Sequence, residues 1–323
     1  MIRHTLIVSC VAMLAASLQA QPRPEEVPIE AAGPLGPLAG TMRSSSAAQG
    51  PVALIIPGSG PTDRDGNSPF GVRAATYRLL AEGLAAEGVT TVRIDKRGMF
   101  GSAGAASDAN AVTIADYVTD TDAWVKSVRA QTGASCIWLI GHSEGGLVAL
   151  AAAQEVDNLC GVVLVAAAGR PLGEVIKSQL RANPANAQLL ETANMAIDEL
   201  TAGRRVDVAT LPQPLAPMFD PAVQGFLIST FPLDPAELAA EAQLPLLILQ
   251  GGKDIQVSIE DAERLKAANP EATLIILPDA NHVLKDVAGD NLSDNVAAYH
   301  ASDLPLSKGL ISGIAAFVRD FGA

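Results

Sequence analysis

Short apolar runs that alternate with amphipathic segments constrain the fold of this chain more than any other feature. The runs VALIIPG, CIWLIG, GVVLVAAAG and LPLLILQG are almost continuously apolar and end at glycine or proline, which is typical of strands buried on both faces. Segments such as RAATYRLLAEGLAAEG and TIADYVTDTDAWVKSVRAQTG lie between them and carry apolar residues at helical spacing. This alternation predicts an α/β fold with a doubly wound, mostly parallel sheet and helices on both faces.

The alternation stops between Gly169 and Leu244. The interrupted stretch contains helical pieces, LGEVIKSQLRAN and AQLLETANMAIDELTAG, and the proline-rich LPQPLAPMFDP. It is too long for an ordinary loop, so it predicts a helical cap, residues 170–243, inserted into a core of residues 21–169 and 244–323. Such a cap would cover the carboxyl ends of the strands, where open α/β sheets bind ligands. The alternative is an irregular surface excursion.

The first 20 residues have the layout of a secretory signal peptide. Arg3 and His4 precede an apolar run from Leu6 to Leu18, which ends in small residues at Ala20. The run is too short for a comfortable membrane span. Residues 1–20 therefore predict export, so that the mature protein is periplasmic or secreted and keeps no stable membrane span.

Composition excludes some classes of function. The net charge of -13 disfavours binding to the phosphate backbone of nucleic acids. We find no cluster of histidine, cysteine and acidic residues with the spacing of metal ligands, so we expect neither a metal nor an organic cofactor. Cys136 and Cys160 each stand at the start of an apolar strand. They are candidates for a disulfide if those strands are neighbours; two buried free thiols are the alternative.

One apolar run, IWLIGHSEGG, leads directly into a serine flanked by glycines. Gly141, Ser143 and Gly145 form a G-x-S-x-G pattern between a predicted strand and a predicted helix. A tight strand-to-helix turn would hold the serine hydroxyl clear of the sheet, as a nucleophile requires. An ordinary turn is the alternative, but the strand–turn–helix context favours Ser143 as a nucleophile.

An acid and a base follow later in the chain, each just after a predicted strand. Asp254 follows LLILQGGKD and His282 follows TLIILPDANH, in the order serine, acid, histidine. His282 would accept the serine proton, and Asp254 would orient the imidazole. Read singly, Asp254 could be a helix cap and His282 a loop histidine. We expect His142 to point away from the nucleophile and His300 to lie on the surface.

Two backbone N–H groups should stabilise the oxyanion that forms during attack on a carbonyl. One is expected from Glu144, the residue after the nucleophile. The other is expected from the loop PGSGPTDRDGN, with Ser59 favoured and Gly60 in reserve. The charged residues 95–97, in RIDKRGMFGS, either shape a pocket wall or pair with residues 63–65, and a structural ion-pair network is favoured.

Taken in order, the motifs PGSGPTDRDGN, DKRG, GHSEGG, GGKD and ANHVLK resemble the α/β-hydrolase superfamily, especially serine aminopeptidase S33-like and carboxylesterase-like bacterial hydrolases. The resemblance runs from about Pro28 to Phe321. It implies the α/β-hydrolase fold, with an eight-stranded, mostly parallel sheet, a cap after the sixth strand and a Ser143–Asp254–His282 triad. The chain departs from the common His-Gly oxyanion motif, since it carries PG at residues 57–58.

These features favour a serine hydrolase that cleaves small-molecule carboxylic esters of small to medium acyl chain through an acyl-enzyme. Apolar cap residues in LISTF and MFDP are expected to line the acyl pocket. The alternatives are a thioesterase or a serine aminopeptidase, which would need Glu144, Glu174 or another acidic group to hold the amino terminus of its substrate. A catalytically inactive binding module of the same fold is the alternative of another class. The oligomeric state stays open.

Overall fold

The computed structural model describes residues 26–47 and 49–322. The predicted signal peptide, residues 1–20, lies outside the described residues. Within them, no helix combines the length and the apolar character needed to cross a bilayer.

A single eight-stranded sheet organises the chain, in the order β1-β2-β4-β3-β5-β6-β7-β8. The strands are β1 Glu26–Ala31, β2 Leu38–Arg43, β3 Val52–Ile56, β4 Thr90–Ile94, β5 Ile137–His142, β6 Leu159–Val165, β7 Leu246–Gly251 and β8 Thr273–Leu277. Strand β2 runs antiparallel to β1 and β4, and the other neighbours are parallel. The prediction of an eight-stranded, mostly parallel sheet is confirmed.

Helices cover both faces of the sheet because alternate strand residues point to opposite sides. In β3, Val52, Leu54 and Ile56 belong to one apolar cluster, and Ala53 and Ile55 belong to another. The first cluster includes residues of α2 Ile114–Thr132, α3 Glu144–Glu155 and α8 Ile259–Ala268, among others. The second includes residues of α1 Thr76–Ala86 and α10 Leu310–Asp320. The short helix α9 Leu292–Ala298 lies between β8 and α10.

Four helices fill the segment between β6 and β7, where the sequence predicted an inserted cap. They are α4 Leu172–Ala182, α5 Leu190–Thr201, α6 Gln224–Thr230 and α7 Pro235–Glu241. The insertion has an apolar cluster of its own, which includes Ile197, Phe219 and Phe231. At its start, Arg170 forms a bidentate ion pair with the buried Asp261 of α8, with two N–O distances of 2.8 Å.

Cys136 and Cys160 are joined in a disulfide, with 5.2 Å between their Cα atoms. Cys136 directly precedes β5, and Cys160 lies in β6 at a register shift between these parallel neighbours. The bridge therefore lies at the amino ends of the strands, opposite the edge where Ser143 follows β5.

Candidate active site

The candidate nucleophile, Ser143, lies at the sharp turn between β5 and α3. Its φ of 54° and ψ of -121° form a backbone conformation that non-glycine residues rarely adopt. The Ser143 N–H donates to the Val165 carbonyl of the neighbouring strand at 3.0 Å, which helps to hold the turn. Strain of this kind costs on the order of 1–3 kcal/mol and persists only where the surroundings enforce it. The turn leaves the serine partly exposed at the end of a fully buried strand.

Two glycines make this turn possible. A Cβ atom on Gly141 would lie 2.2 Å from the Gly145 carbonyl oxygen. A Cβ atom on Gly145 would lie 2.3 Å from the carbonyl oxygen of Ile56 in β3. Side chains do not approach backbone oxygens that closely, so the G-x-S-x-G pattern follows from the tight packing of α3 against the strands.

Asp254 and His282 come together although 28 positions separate them in the chain. Asp254 lies in the loop after β7, His282 lies in the loop after β8, and Oδ2 and Nδ1 are 2.8 Å apart. The Asp254 carboxylate is fully buried, and its Oδ1 accepts the N–H groups of Gln256 and Val257 at 2.7 and 3.0 Å. Burial alone would raise the pKa of Asp254, but the imidazole and these N–H groups outweigh it and lower that pKa.

The Asp254 contact determines what His282 can do. Since the carboxylate accepts the proton on Nδ1, the neutral imidazole keeps its lone pair on Nε2. His282 and Ser143 line the same cavity. No hydrogen bond among the described residues joins His282 to the Ser143 hydroxyl; in unliganded sites, such bonds are often long and shorten when substrate binds. The arrangement is that of a histidine oriented by a buried carboxylate and lining the same cavity as a serine.

The backbone N–H groups of Glu144 and Ser59 are the two candidate oxyanion donors. Both residues line the larger of two cavities at the nucleophile, and neither N–H has an acceptor within the described part of the chain. The Gly58 N–H is already used, because it donates to Tyr77 Oη at 2.9 Å. Gly60 lines the other cavity. Ser59 lines both cavities and Gly60 lines only one, so Ser59 stays the first candidate for the second donor.

His142, expected from the sequence to point away from Ser143, is a buried residue that lines the same cavity as Ser143 and His282. Its Nε2 lies 2.8 Å from the His282 carbonyl oxygen, and since a carbonyl only accepts, this nitrogen carries the proton. Its Nδ1 accepts the hydroxyl proton of Tyr77 at 2.9 Å, and the same hydroxyl oxygen accepts the Gly58 N–H. Three hydrogen bonds thus join the His282 loop to the loop that carries Gly58 and Ser59. Burial and the adjacent His282 lower the pKa of His142 to about 3.

The sequence carried one signal of this role. His142 is the polar last residue of a strand whose other residues are apolar or glycine. A polar group at such a position must find a hydrogen-bond partner, because an unpaired buried polar atom is costly. His300, by contrast, is exposed as expected, and its Nδ1 donates to the Gly71 carbonyl at 2.7 Å.

The expectation of an ion-pair network after β4 is partly confirmed. Asp95 pairs with Arg64 at 2.5 Å, as the sequence suggested. Arg97 pairs instead with two carboxylates of α2, those of Asp116 at 2.9 Å and Asp120 at 2.5 Å. The sequence predicted partners among residues 63–65, whereas Asp116 and Asp120 belong to helix α2.

Lys96 has a different environment. Its Nζ lies 3.0 Å from Glu144 Oε1 and 2.7 Å from the Gly58 carbonyl oxygen. Lys96 thus contacts Glu144, which directly follows Ser143, and the peptide bond between Gly58 and Ser59. Lys96 therefore belongs to the site and not to a peripheral network.

Two cavities meet at Ser143. The first, of about 340 Å³, lies beneath the cap, and its apolar walls are formed by Leu147, Leu172, Val175, Ile176, Phe226 and Leu227. The second, of about 280 Å³, is lined by His282 and by loop residues that include Pro61, Phe70, Val72 and Tyr299. Ser59, Ser143 and Gln256 line both. Ser143, the candidate nucleophile, therefore has open space on either side.

The expected acyl-pocket residues are only partly correct. From LISTF, Leu227 and Thr230 line the cavity beneath the cap. From MFDP, Phe219 is fully buried in the core of the inserted helices, and Met218 is exposed. The expectation for MFDP was wrong, because Phe219 packs against other apolar residues of the inserted helices and does not line the cavity.

No candidate catalytic residue lines a larger cavity, of about 770 Å³, which lies at the amino end of the sheet near the disulfide. Nor does the described part of the chain hold a group of three or more histidine, cysteine or acidic side chains placed to bind a metal. The serine, acid and base candidates thus belong to the edge where the two cavities meet.

Comparisons with known proteins agree with the architecture. A model of the alpha/beta hydrolase family matches residues 53–291. The chain is similar to Esterase EstD of Thermotoga maritima, with 25% identity over 250 residues, or 76% of this chain. The chain spans 57% of the length of that relative.

Solved structures resemble the whole described fold. Pyrococcus furiosus esterase Pf2001 superposes with a TM-score of 0.59 at 18% identity, over 93% of this chain and 92% of that one. A thermophilic esterase from Thermogutta terrifontis gives 0.56 at 18% identity, over 93% and 100%. Est1E from Butyrivibrio proteoclasticus gives 0.55 at 14% identity, over 91% and 98%. At these identities the likeness concerns the fold.

Proposed function

The chain belongs to the alpha/beta hydrolase family, and from this premise we propose that it hydrolyses carboxylic esters of small to medium acyl chain through an acyl-enzyme on Ser143. The similarity to an esterase in sequence supports the choice of an ester substrate. The observation that carries the proposal is the hydrogen bond between the buried Asp254 and His282, which lines a cavity that Ser143 also lines. Fold alone would not suffice, because one fold hosts many chemistries.

In the acylation step, Ser143 Oγ attacks the ester carbonyl carbon while His282 Nε2 takes the hydroxyl proton. Asp254 stabilises the imidazolium that results. The carbonyl oxygen becomes an oxyanion and accepts the N–H groups of Glu144 and Ser59. When the tetrahedral intermediate collapses, the bond to the alcohol oxygen breaks, and His282 gives its proton to that oxygen.

Deacylation repeats these steps with water as the nucleophile. His282 takes a proton from water, the hydroxide attacks the acyl carbon, and the same two N–H groups bind the second oxyanion. The bond to Ser143 Oγ then breaks, and His282 returns the proton to the serine. The products are a carboxylic acid and an alcohol.

The two cavities suggest which part of the substrate lies where. His282 must protonate the departing alcohol, and it lines the smaller cavity, so the alcohol group belongs there. The acyl chain then occupies the apolar cavity beneath the cap, against residues such as Ile176 and Leu227. In this proposal residues 170–243 act as a cap that sets acyl length. A volume of about 340 Å³ with apolar walls suits small to medium chains.

The contacts of the acidic candidates disfavour the aminopeptidase alternative. An aminopeptidase needs a free carboxylate for the amino group of its substrate. The Glu144 carboxylate is bound to Lys96 and is 7% exposed. Glu174 is 51% exposed and is paired with Lys177. Neither supports that role.

Export to the periplasm or the medium is part of the proposal. The features of residues 1–20 that resemble a signal peptide favour it. The Cys136–Cys160 bridge supports it independently, because disulfides persist mainly in oxidising compartments.

The test combines covalent labelling with a substrate series. A fluorophosphonate probe should label the wild-type protein and leave Ser143→Ala unlabelled. Kinetics on p-nitrophenyl esters of increasing chain length, on acyl thioesters and on alanine and proline anilides then separate the substrate classes. We expect ester turnover to exceed the others. An unlabelled wild type would return the protein to the class of inactive binding modules, and faster anilide cleavage would favour the peptidase.

A further inference from the structure

Both polar groups of the peptide bond between Gly58 and Ser59, its N–H and its carbonyl, take part in the proposed site. Its N–H is the proposed second oxyanion donor. Its carbonyl oxygen, that of Gly58, accepts a hydrogen bond from Lys96 Nζ at 2.7 Å. In a trans peptide these two groups point in opposite directions. A contact that fixes the oxygen therefore also fixes the direction of the Ser59 N–H.

Lys96 reaches this oxygen from the end of a neighbouring strand. It lies two positions after β4, Gly58 lies two positions after β3, and Glu144 lies two positions after β5. Strand β3 is between the other two in the sheet, so one long side chain can bridge the three strand ends. The Lys96 side chain is 4% exposed, and its ammonium lies 5.3 Å from the centre of the Tyr117 ring.

The same ammonium also holds Glu144. Nζ lies 3.0 Å from Oε1, and both side chains are almost fully buried. Glu144 supplies the first oxyanion donor through its own N–H. Lys96 therefore contacts the groups that carry both proposed donors. It binds the carboxylate of Glu144, and it binds the Gly58 carbonyl oxygen of the peptide that holds the Ser59 N–H.

We propose that Lys96 is the positioning residue of the oxyanion hole, where it orients and polarises the Gly58–Ser59 peptide and ties it to Glu144. The inference rests on the proposed function, because an oxyanion forms only when Ser143 attacks a carbonyl. A peptide whose oxygen accepts from a charged donor is itself a stronger donor at its N–H. Donors that are held in place before the substrate arrives stabilise the charge that develops in the transition state.

A purely structural ion pair would have different consequences, and the chain offers a matched control. Arg97 is a similarly buried cation on the same loop, and it pairs with Asp116 and Asp120. It contacts neither oxyanion donor. Removing Lys96 or Arg97 leaves buried carboxylates without a partner and lowers stability. Only the loss of Lys96 should also weaken transition-state binding.

The experiment compares Lys96→Met, Arg97→Met and the double variant Lys96→Met with Glu144→Gln, which leaves no unpaired buried carboxylate. For each folded variant we measure kcat and KM on the best p-nitrophenyl ester and Ki for phenylboronic acid, whose serine adduct is tetrahedral. Both Lys96 variants should lose about tenfold to hundredfold in kcat, less than the loss of a direct donor causes, with KM nearly unchanged. Ki should rise in parallel. Arg97→Met should keep its kcat within about twofold.

Three results would overturn the inference: a Lys96 double variant with wild-type kcat, a loss confined to KM, or an equal loss of kcat in Arg97→Met. Failure of the proposed function looks different. If the fluorophosphonate labels the wild type but no ester is cleaved, the ester class is wrong. The labelling rate then tests Lys96, and we expect Lys96→Met to lower it and Arg97→Met to leave it unchanged. A wild type that is neither labelled nor active would overturn both proposals.

Discussion

Lowering the pH from about 7 to about 5 should cost the protein about 2 kcal/mol of unfolding free energy through His142 alone. This side chain is buried and neutral, donates to the His282 carbonyl and accepts from Tyr77. Protonation would put a charge into a buried site and place a second proton opposite the tyrosine hydroxyl. The folded state therefore resists it, whereas the unfolded chain does not.

The sign and size follow from the two pKa values of His142. Burial and the neighbouring His282 lower its folded pKa to about 3, from 6.5 in the unfolded chain. Its contribution to stability is complete above the unfolded pKa and is lost as the pH falls through the window between the two values. Near pH 5 the loss is about 2 kcal/mol, since each pH unit below the unfolded pKa costs about 1.4 kcal/mol of unfolding free energy. A folded pKa one unit higher would barely change this loss of unfolding free energy, because that pKa would still lie below pH 5.

Urea unfolding at the two pH values, followed by tryptophan fluorescence and circular dichroism, measures the effect. The matched variant is His142→Gln, whose amide can still donate to the His282 carbonyl but does not titrate. Contributions from the other titratable groups are shared by the two proteins and cancel in the difference. The wild type should lose about 2 kcal/mol more than the variant between about pH 7 and about pH 5. Equal losses in the two proteins would refute the assignment of a buried, neutral His142.

Three further predictions concern the disulfide, the acyl cavity and the acid. Replacing Cys136 and Cys160 with serine should lower the unfolding free energy by about 3 kcal/mol in urea without changing kcat, and a loss below about 1 kcal/mol would contradict this. Leu227→Trp should lower kcat/KM for long p-nitrophenyl esters by about tenfold and spare the acetate; an equal loss on both would remove Leu227 from the acyl wall. Asp254→Asn should lower kcat by about four orders of magnitude in the same assay, and near-normal turnover would show that His282 needs no buried acid.

Local sequence patterns determined most of the fold. Strands β3, β5, β6 and β7 were evident because a strand buried on both faces must be apolar throughout, and glycine or proline marks its ends. The inserted helices followed from the interruption of the strand–helix alternation. These signals need only neighbouring residues, which is why the sheet, its helices and the insertion could be predicted without coordinates.

The positions of the candidate nucleophile and its candidate partners could also be predicted from the sequence. Ser143, Asp254 and His282 each follow a strand that runs in the same direction, and the carboxyl ends of parallel strands share one edge of the sheet. These three residues are far apart in the chain but were therefore expected to lie close together in space. The choice among loop residues at that edge rested on chemistry, since a serine nucleophile needs a base and an acid.

Only the tertiary structure revealed the supporting contacts. The sequence indicated neither that Lys96 reaches both Glu144 and Gly58 nor that Phe219 packs among the inserted helices. For His142 it indicated a need for a hydrogen-bond partner but not that the partner is the His282 carbonyl. A sequence shows which positions of an element are apolar and where the element ends. It does not show which atoms of distant elements approach within about 3 Å, because that depends on strand order, register and side-chain packing across the whole sheet.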